Sequence, residues 1–305
     1  MSTSEVPPAA VLLAPAKLTV SLRVTGVRED GYHLLDAEMV TVSLVDVVQL
    51  EPGTGLALVD EVPGGLGLRG IPPGESNLVE RALTAVGKSA AARVVKRIPP
   101  GAGLGGGSAD AAAVLRWAGA GDPRLAARIG ADVPFCVTGG RARVSGIGEA
   151  VEPMAFEERS YVLLLLPFGM STASVFAAWD RMHAASKHRA GGDTRSSDGP
   201  VNDGPVNDGP VNDGPVNDGP VNDGPVNDGP VNDLELAALR VEPRLARWRD
   251  CLGDATGMRP RLAGSGSTWF VEGEPEALGL AGRSSLVLHG VHAPLVAVHT
   301  LPVAR

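Results

Sequence analysis

Residues 99–112 read PPGAGLGGGSADAA, with five glycines in the seven positions 101–107 and an alanine-rich run directly after them. Glycine lets successive backbone N–H groups turn towards an anion with no Cβ in the way, and a helix starting there adds its own unpaired N–H groups. Ser108 stands where an N-cap would, and residues 109–119 keep apolar side chains at helical spacing. The expectation is a phosphate cradle that opens a helix.

Two better-known glycine patterns fit less well. No Gly-Lys-Ser or Gly-Lys-Thr follows the glycines, so this is not a Walker A loop. Gly101, Gly103 and Gly106 do match GxGxxG, but the strand-like residues 92–98 run into Pro99-Pro100, whereas the dinucleotide fold joins strand, tight turn and helix directly. Glycines that only close a turn are the plainer alternative.

Outward from this loop, residues 10–25 and 37–50 read as strands separated by the polar turn Arg28-Glu29-Asp30-Gly31. Ser76-Asn77 caps a helix over 78–86, and Asp122-Pro123 opens a short one ending near Gly130. A strand pair turning at Gly139-Gly140, then Gly146-Ile147-Gly148, closes the first half at about residue 155. Residues 161–166 form a continuous apolar strand, the pattern of a central position. Helices follow over 174–183 and 234–249, then a second glycine loop at Gly264-Ser265-Gly266-Ser267 and an alternating strand over 295–300. The order is α+β rather than regularly alternating, and 305 residues suit two domains, 1–155 and 156–305.

Residues 198–232 are seven copies of DGPVN, whose aspartates account for all but one of the chain's eight net negative charges. A period of five fits neither helix nor strand, so the array reads as a disordered insert, at about 190–232, in the second domain. The remainder is nearly neutral, with no basic stripe and few aromatics, which argues against nucleic acid and for a small-molecule partner. The longest apolar run, 161–167, is too short for a bilayer, and no signal peptide is evident, so a cytoplasmic protein without membrane contact is expected. Cys136 and Cys251 form no CxxC pair and read as buried small hydrophobes; His289, His292 and His299 lack neighbours at ligand spacing, so no protein-ligated metal is expected.

Two charges are out of place. Lys17 interrupts an apolar strand between Leu13 and Val20, and Asp132 sits between Gly130-Ala131 and Val133-Pro134-Phe135. A structural salt bridge would explain both. So would an acid–base unit in which the carboxylate takes a hydroxyl proton while the lysine pairs with it and offsets charge on a transferring phosphoryl group.

Pro15-Ala16-Lys17, the 99–112 loop and Leu262-Ala263-Gly264-Ser265-Gly266-Ser267 resemble, in order, the three motifs of the GHMP small-molecule kinases. Asp30-Gly31-Tyr32-His33, Gly130-Ala131-Asp132-Val133-Pro134-Phe135 and Asn232-Asp233-Leu234-Glu235 resemble signatures of the branch that phosphorylates the 2-hydroxyl of a cytidyl-diphospho-methylerythritol in the non-mevalonate isoprenoid pathway. The resemblance spans nearly the whole chain except the array. It implies a two-domain fold with the active site between the domains, ATP as phosphoryl donor, Mg²⁺ bridging the nucleotide phosphates, and a substrate carrying cytidine diphosphate.

The resemblance also implies roles. Asp132 is the general base and Lys17 its partner. Pro99, Gly101, Ala102, Gly103, Leu104, Gly105, Gly106, Gly107, Ser108 and Ala109 surround the ATP phosphates, with Ser108 near the metal. Asn77 and Lys96 fall close to the adenosine, although a helix cap and a surface strand lysine explain them as well. Tyr32 stacks on cytosine and His33 bonds its edge, while Thr172 and Phe176 belong to the substrate pocket. Tyr32 as a core aromatic is the bland alternative. Two positions depart from the family pattern: Thr19 replaces a common asparagine of the substrate site, which puts substrate affinity in question, and Ala109 replaces a frequent serine. A homoserine- or mevalonate-type kinase, or a non-catalytic nucleotide binder, stays open; the DGYH segment and the retained Lys17 and Asp132 argue against them.

Overall fold

The computed structural model describes residues 9–68, 71, 76–190 and 232–303, so the pentapeptide copies up to residue 231 lie outside the described residues. Two sheets organise them. The first holds β1 (Ala10–Val27), β2 (His33–Glu51), β3 (Leu56–Asp60), β4 (Ala91–Lys96), β5 (Arg141–Gly146) and β6 (Ala150–Pro153), in the order β3-β4-β2-β5-β6 with β1 also paired to β2. The second holds β7 (Ser160–Leu164), β8 (Arg261–Leu262), β9 (Trp269–Glu272), β10 (Ser285–Leu288) and β11 (Val291–His299), in the order β10-β11-β7-β9-β8. The apolar run beginning at Tyr161 is central, as its composition predicts. The sheets meet where Val42 bridges Thr300 and Leu301 N–H donates to Thr41 C=O.

The pleat of β1 sets up the site. Ala16, Leu18 and Val20 enter a buried cluster with Leu104, Tyr161 and Phe270, so Lys17 and Thr19 face the opposite way. Register shifts between Pro15 and Lys17 and between Thr19 and Ser21 bracket this stretch and re-aim it locally.

Among the described residues, seven α-helices complete the fold: α1 (Leu78–Ala85), α2 (Gly106–Trp117), α3 (Pro123–Ile129), α4 (Val133–Thr138), α5 (Thr172–Ala190), α6 (Glu235–Val241) and α7 (Arg244–Thr256). Asn77 and Asp122 cap α1 and α3 through their side chains, as read from the sequence. Helix α2 buries every residue from Ala109 to Leu115, and its small side chains let α1, α4 and β1 approach closely.

Four local readings are corrected. Ser108 is not the N-cap of α2; Gly105, in the left-handed region, takes that position and the helix begins at Gly106. Residues 133–138 form a helix although Val-Pro-Phe-Cys-Val-Thr has strand-like composition, because Phe135 and Cys136 are buried in the packing of α4 on α2. Gly139-Gly140 therefore joins α4 to β5, and the β5–β6 turn lies at Gly146-Ile147-Gly148. The expected helix over 234–249 is two helices, since Pro243 cannot continue α6 and instead starts α7.

Cys136 is buried and its thiol is pushed up to about 12 by desolvation and by the nearby Asp132 charge, whereas Cys251 is only partly buried. Among the described residues, His289, His292 and His299 are exposed, no cluster of His, Cys, Asp and Glu could hold a metal ion, and no helix is long and apolar enough to cross a membrane.

Candidate active site

A cleft of about 1130 Å³ is lined by the glycine loop, β1, the start of β2, the 130–132 turn, α5 and the second glycine loop. The first loop is clamped from two sides. Leu104 C=O accepts from Lys17 N–H at 3.1 Å, and Ala102 C=O accepts from Thr268 N–H at 3.2 Å. Gly103, at φ 77°, lies so close to the second loop that a Cβ would stand 2.2 Å from Ala263 O. At Gly105, with φ 66°, a Cβ would stand 2.8 Å from Lys17 Cγ. Only glycine satisfies both the backbone angle and the space.

The first three N–H groups of α2, at Gly106, Gly107 and Ser108, have no partner within the helix, and these residues line the cleft, an arrangement able to receive an anion. The sequence reading extends too far here. Ala109 N–H already donates to Gly105 C=O, and the side chains of Leu104 and Ala109 are buried in the core rather than on the cleft wall.

Lys17 and Asp132 meet, with Nζ 3.4 Å from Oδ2. The lysine side chain is 7% exposed and the aspartate 35%, so the carboxylate is the reachable member and is less enclosed than its apolar neighbours imply. Lys17 Nζ also donates to Thr19 Oγ1 at 3.1 Å, giving Thr19 a contact within the pair. A Cβ at Gly264 would lie 3.6 Å from both Lys17 Nζ and Thr19 Oγ1, so the second loop covers this ammonium.

Tyr32 is on the rim, 59% exposed with the Arg28 guanidinium 6.0 Å from its ring centre, which rules out the core reading. His33 lies beside Phe176, ring centres 4.5 Å apart. Thr172 Oγ1 and Ser265 Oγ are 3.0 Å apart and join α5 to the second glycine loop. Asn77 lines the cleft while its side chain accepts from Val79 N–H.

Lys96 lines the same cleft. It is not a surface lysine: its ammonium is buried between Asp46 and Asp110, 2.6 Å from Asp110 Oδ2. Burial opposes the charge on Lys96, but Asp110 and Asp46 outweigh it and raise its pKa. Asp110 is pushed up to about 7 because desolvation and the Asp46 charge exceed the attraction of Lys96, and among the described residues its buried Oδ1 has no hydrogen-bond partner. Asp46 also accepts from Ile98 N–H at 2.8 Å and so fixes the chain where it leaves β4 for the glycine loop. A carboxylate inside SLVDVVQL carries the same signal that singles out Lys17, a charge in an apolar strand. Asn232 is a second residue whose work is tertiary: buried, it donates to Leu262 C=O at 3.0 Å and to Gly264 C=O at 2.6 Å, holding the second loop.

The fold is that of the GHMP kinases. Residues 77–140 match the model of the GHMP kinases N terminal domain, and a crystal structure of L. major mevalonate kinase in complex with R-mevalonate shares the fold at TM-score 0.54, with 14% identity over 97% of each chain. More specifically, the chain is similar to 4-diphosphocytidyl-2-C-methyl-D-erythritol kinases. The one from Paracoccus denitrificans (strain Pd 1222) is 45% identical over 169 residues, 55% of this chain and 60% of the relative. A crystal structure of 4-(cytidine 5'-diphospho)-2C-methyl-D-erythritol kinase superposes with TM-score 0.58 and 28% identity over 95% of this chain and 98% of that one. The chain spans less than two thirds of the length of the curated relatives it matches, 60% for the Paracoccus protein and 62% for one from Paramagnetospirillum magneticum.

Proposed function

We propose that this chain transfers the γ-phosphoryl group of ATP to the 2-hydroxyl of 4-diphosphocytidyl-2-C-methyl-D-erythritol, a step in isoprenoid biosynthesis, with residues 1–155 and 156–305 as its two domains. The observation that carries the reading is one cleft holding three things: the open start of α2, the Lys17–Asp132 pair, and the His33–Phe176 wall.

In this reading the N–H groups of Gly106, Gly107 and Ser108 bind the nucleotide phosphates, and Asn77 lies at the nucleoside end. Asp132 takes the proton of the substrate hydroxyl, the alkoxide oxygen forms a bond to the γ-phosphorus, and the bond to the β-phosphate oxygen breaks to leave ADP. Lys17 orients Asp132 and offsets charge on the moving phosphoryl group. Tyr32, His33, Phe176 and Thr172 hold the cytidine diphosphate. The Ser108 hydroxyl, a hard oxygen donor at the start of α2 on the cleft, suits a Mg²⁺ ion carried chiefly by the nucleotide phosphates. When bound, that ion neutralises phosphate charge.

A coupled assay with ATP and the cytidyl-diphospho substrate tests the proposal. ADP release dependent on that substrate, with none from mevalonate or homoserine, is expected. Turnover of either alternative, or nucleotide binding with no turnover on any of the three, overturns it.

A further inference from the structure

On α5, Phe176 and Asp180 are four residues apart and so share one helix face, and both meet the same partner. Asp180 Oδ1 lies 2.7 Å from His33 Nε2, while the His33 ring packs on Phe176 and edge-on to Trp179 at 5.4 Å. The ring is 10% exposed, yet among the described residues nothing bonds its other nitrogen, Nδ1. His33 and Asp180 both line the cleft.

We infer that Asp180 is a positioning residue that acts through His33, holding Nε2 so that Nδ1 is the nitrogen presented to a pyrimidine base. This rests on the reading above that His33 faces the base. An ionised carboxylate only accepts hydrogen bonds, so Nε2 carries the proton and its lone pair is withheld from the cleft. Asp180 thereby fixes both the orientation of the ring and its tautomer. Without it, the ring can rotate about Cβ–Cγ, which puts carbon where Nδ1 stood, and either nitrogen can carry the proton, so base binding loses the ordering already in place in the free protein.

The test is a double-mutant cycle with Asp180→Ala, His33→Ala and the pair, each assayed with the cytidyl-diphospho substrate and ATP varied in turn. Asp180→Ala is expected to raise KM for the cytidyl substrate about tenfold, the range of a hydrogen bond to a charged group, with kcat and the KM for ATP within about twofold. The double variant should match His33→Ala, and Asp180→Glu should recover most of the loss. The ¹⁵N shifts of His33 give a readout independent of activity: a hydrogen-bonded Nε2–H as the single tautomer in the parent protein, relaxing towards the shifts and tautomer ratio of free imidazole in Asp180→Ala. An effect of Asp180→Ala that persists without His33, a fall in kcat together with nucleotide affinity, or unchanged His33 shifts overturns the inference. If His33→Ala weakens the substrate and Asp180→Ala does not, the inference alone fails. If His33→Ala leaves KM unchanged, the base-recognition reading fails and the inference falls with it.

Discussion

Lys17 Nζ stands 3.4 Å from Asp132 Oδ2, joining a bulged strand to the turn before α4 across 115 positions of sequence. The lysine is buried and the carboxylate is open to the cleft. A pair whose only task is to neutralise buried charge has no need of this asymmetry, whereas a base must be reachable. Asp132→Asn keeps the shape and removes the proton acceptor. Single-turnover phosphorylation should fall by about 10²–10⁴-fold with nucleotide affinity nearly intact; near-parental turnover would make the pair a structural salt bridge.

Gly103→Ala should disable the cradle from behind. The added methyl would meet Ala263 O at 2.2 Å in a backbone conformation that L side chains rarely adopt, so the two glycine loops must part. Titration calorimetry should register at least a tenfold loss of nucleotide affinity, about 1.4 kcal/mol. Gly87→Ala, also at positive φ but with nothing near its Cβ, serves as the control and should cost only stability.

Asp110 makes stability depend on pH. Its folded pKa of about 7 exceeds the ordinary carboxylate value, so the folded protein binds more protons than the unfolded chain between about 4 and 7. Its contribution is therefore fully present at low pH and is lost as pH rises to about 7. Asp110→Asn should flatten the fall in melting temperature between pH 5 and pH 8 by a few degrees, an effect on the order of 2 kcal/mol, as read by differential scanning calorimetry. Equal slopes in the two proteins would show that Lys96 compensates Asp110 fully.

The pentapeptide array and the residue that ends it should behave oppositely. Removing Asp198 through Asn227 keeps Asn232 and shortens a connection whose closure entropy varies only with the logarithm of its length, about 2 kcal/mol for an eightfold change. Turnover should stay within a few-fold and stability should rise slightly. Asn232→Ala instead leaves two carbonyls of the second loop without their donor and should destabilise by roughly 1–3 kcal/mol in urea titrations. A large activity loss in the folded deletion variant would give the array a role of its own.

The sequence by itself determined the α+β class, the helix that follows the glycine loop, the central strand and the odd charges Lys17 and Asp132, because each is a local signal: glycine spacing, periodicity, or a charge in an apolar run. Tertiary structure decided the rest. Val133–Thr138 is helical because of what it packs on, a strand-like composition overruled by burial against α2. Lys96 is buried because Asp46 and Asp110, 50 and 14 residues away, close on it, and a lysine at the end of a strand beside Arg97 reads as a surface charge. Asp180 reaches His33 across 147 positions, and Asn232 ties the second glycine loop from 30 positions away. Hydrogen bonds and ion pairs depend on distances of a few ångströms, which chain spacing does not encode. The sequence could name the groups with unusual chemistry, and only the fold could supply their partners.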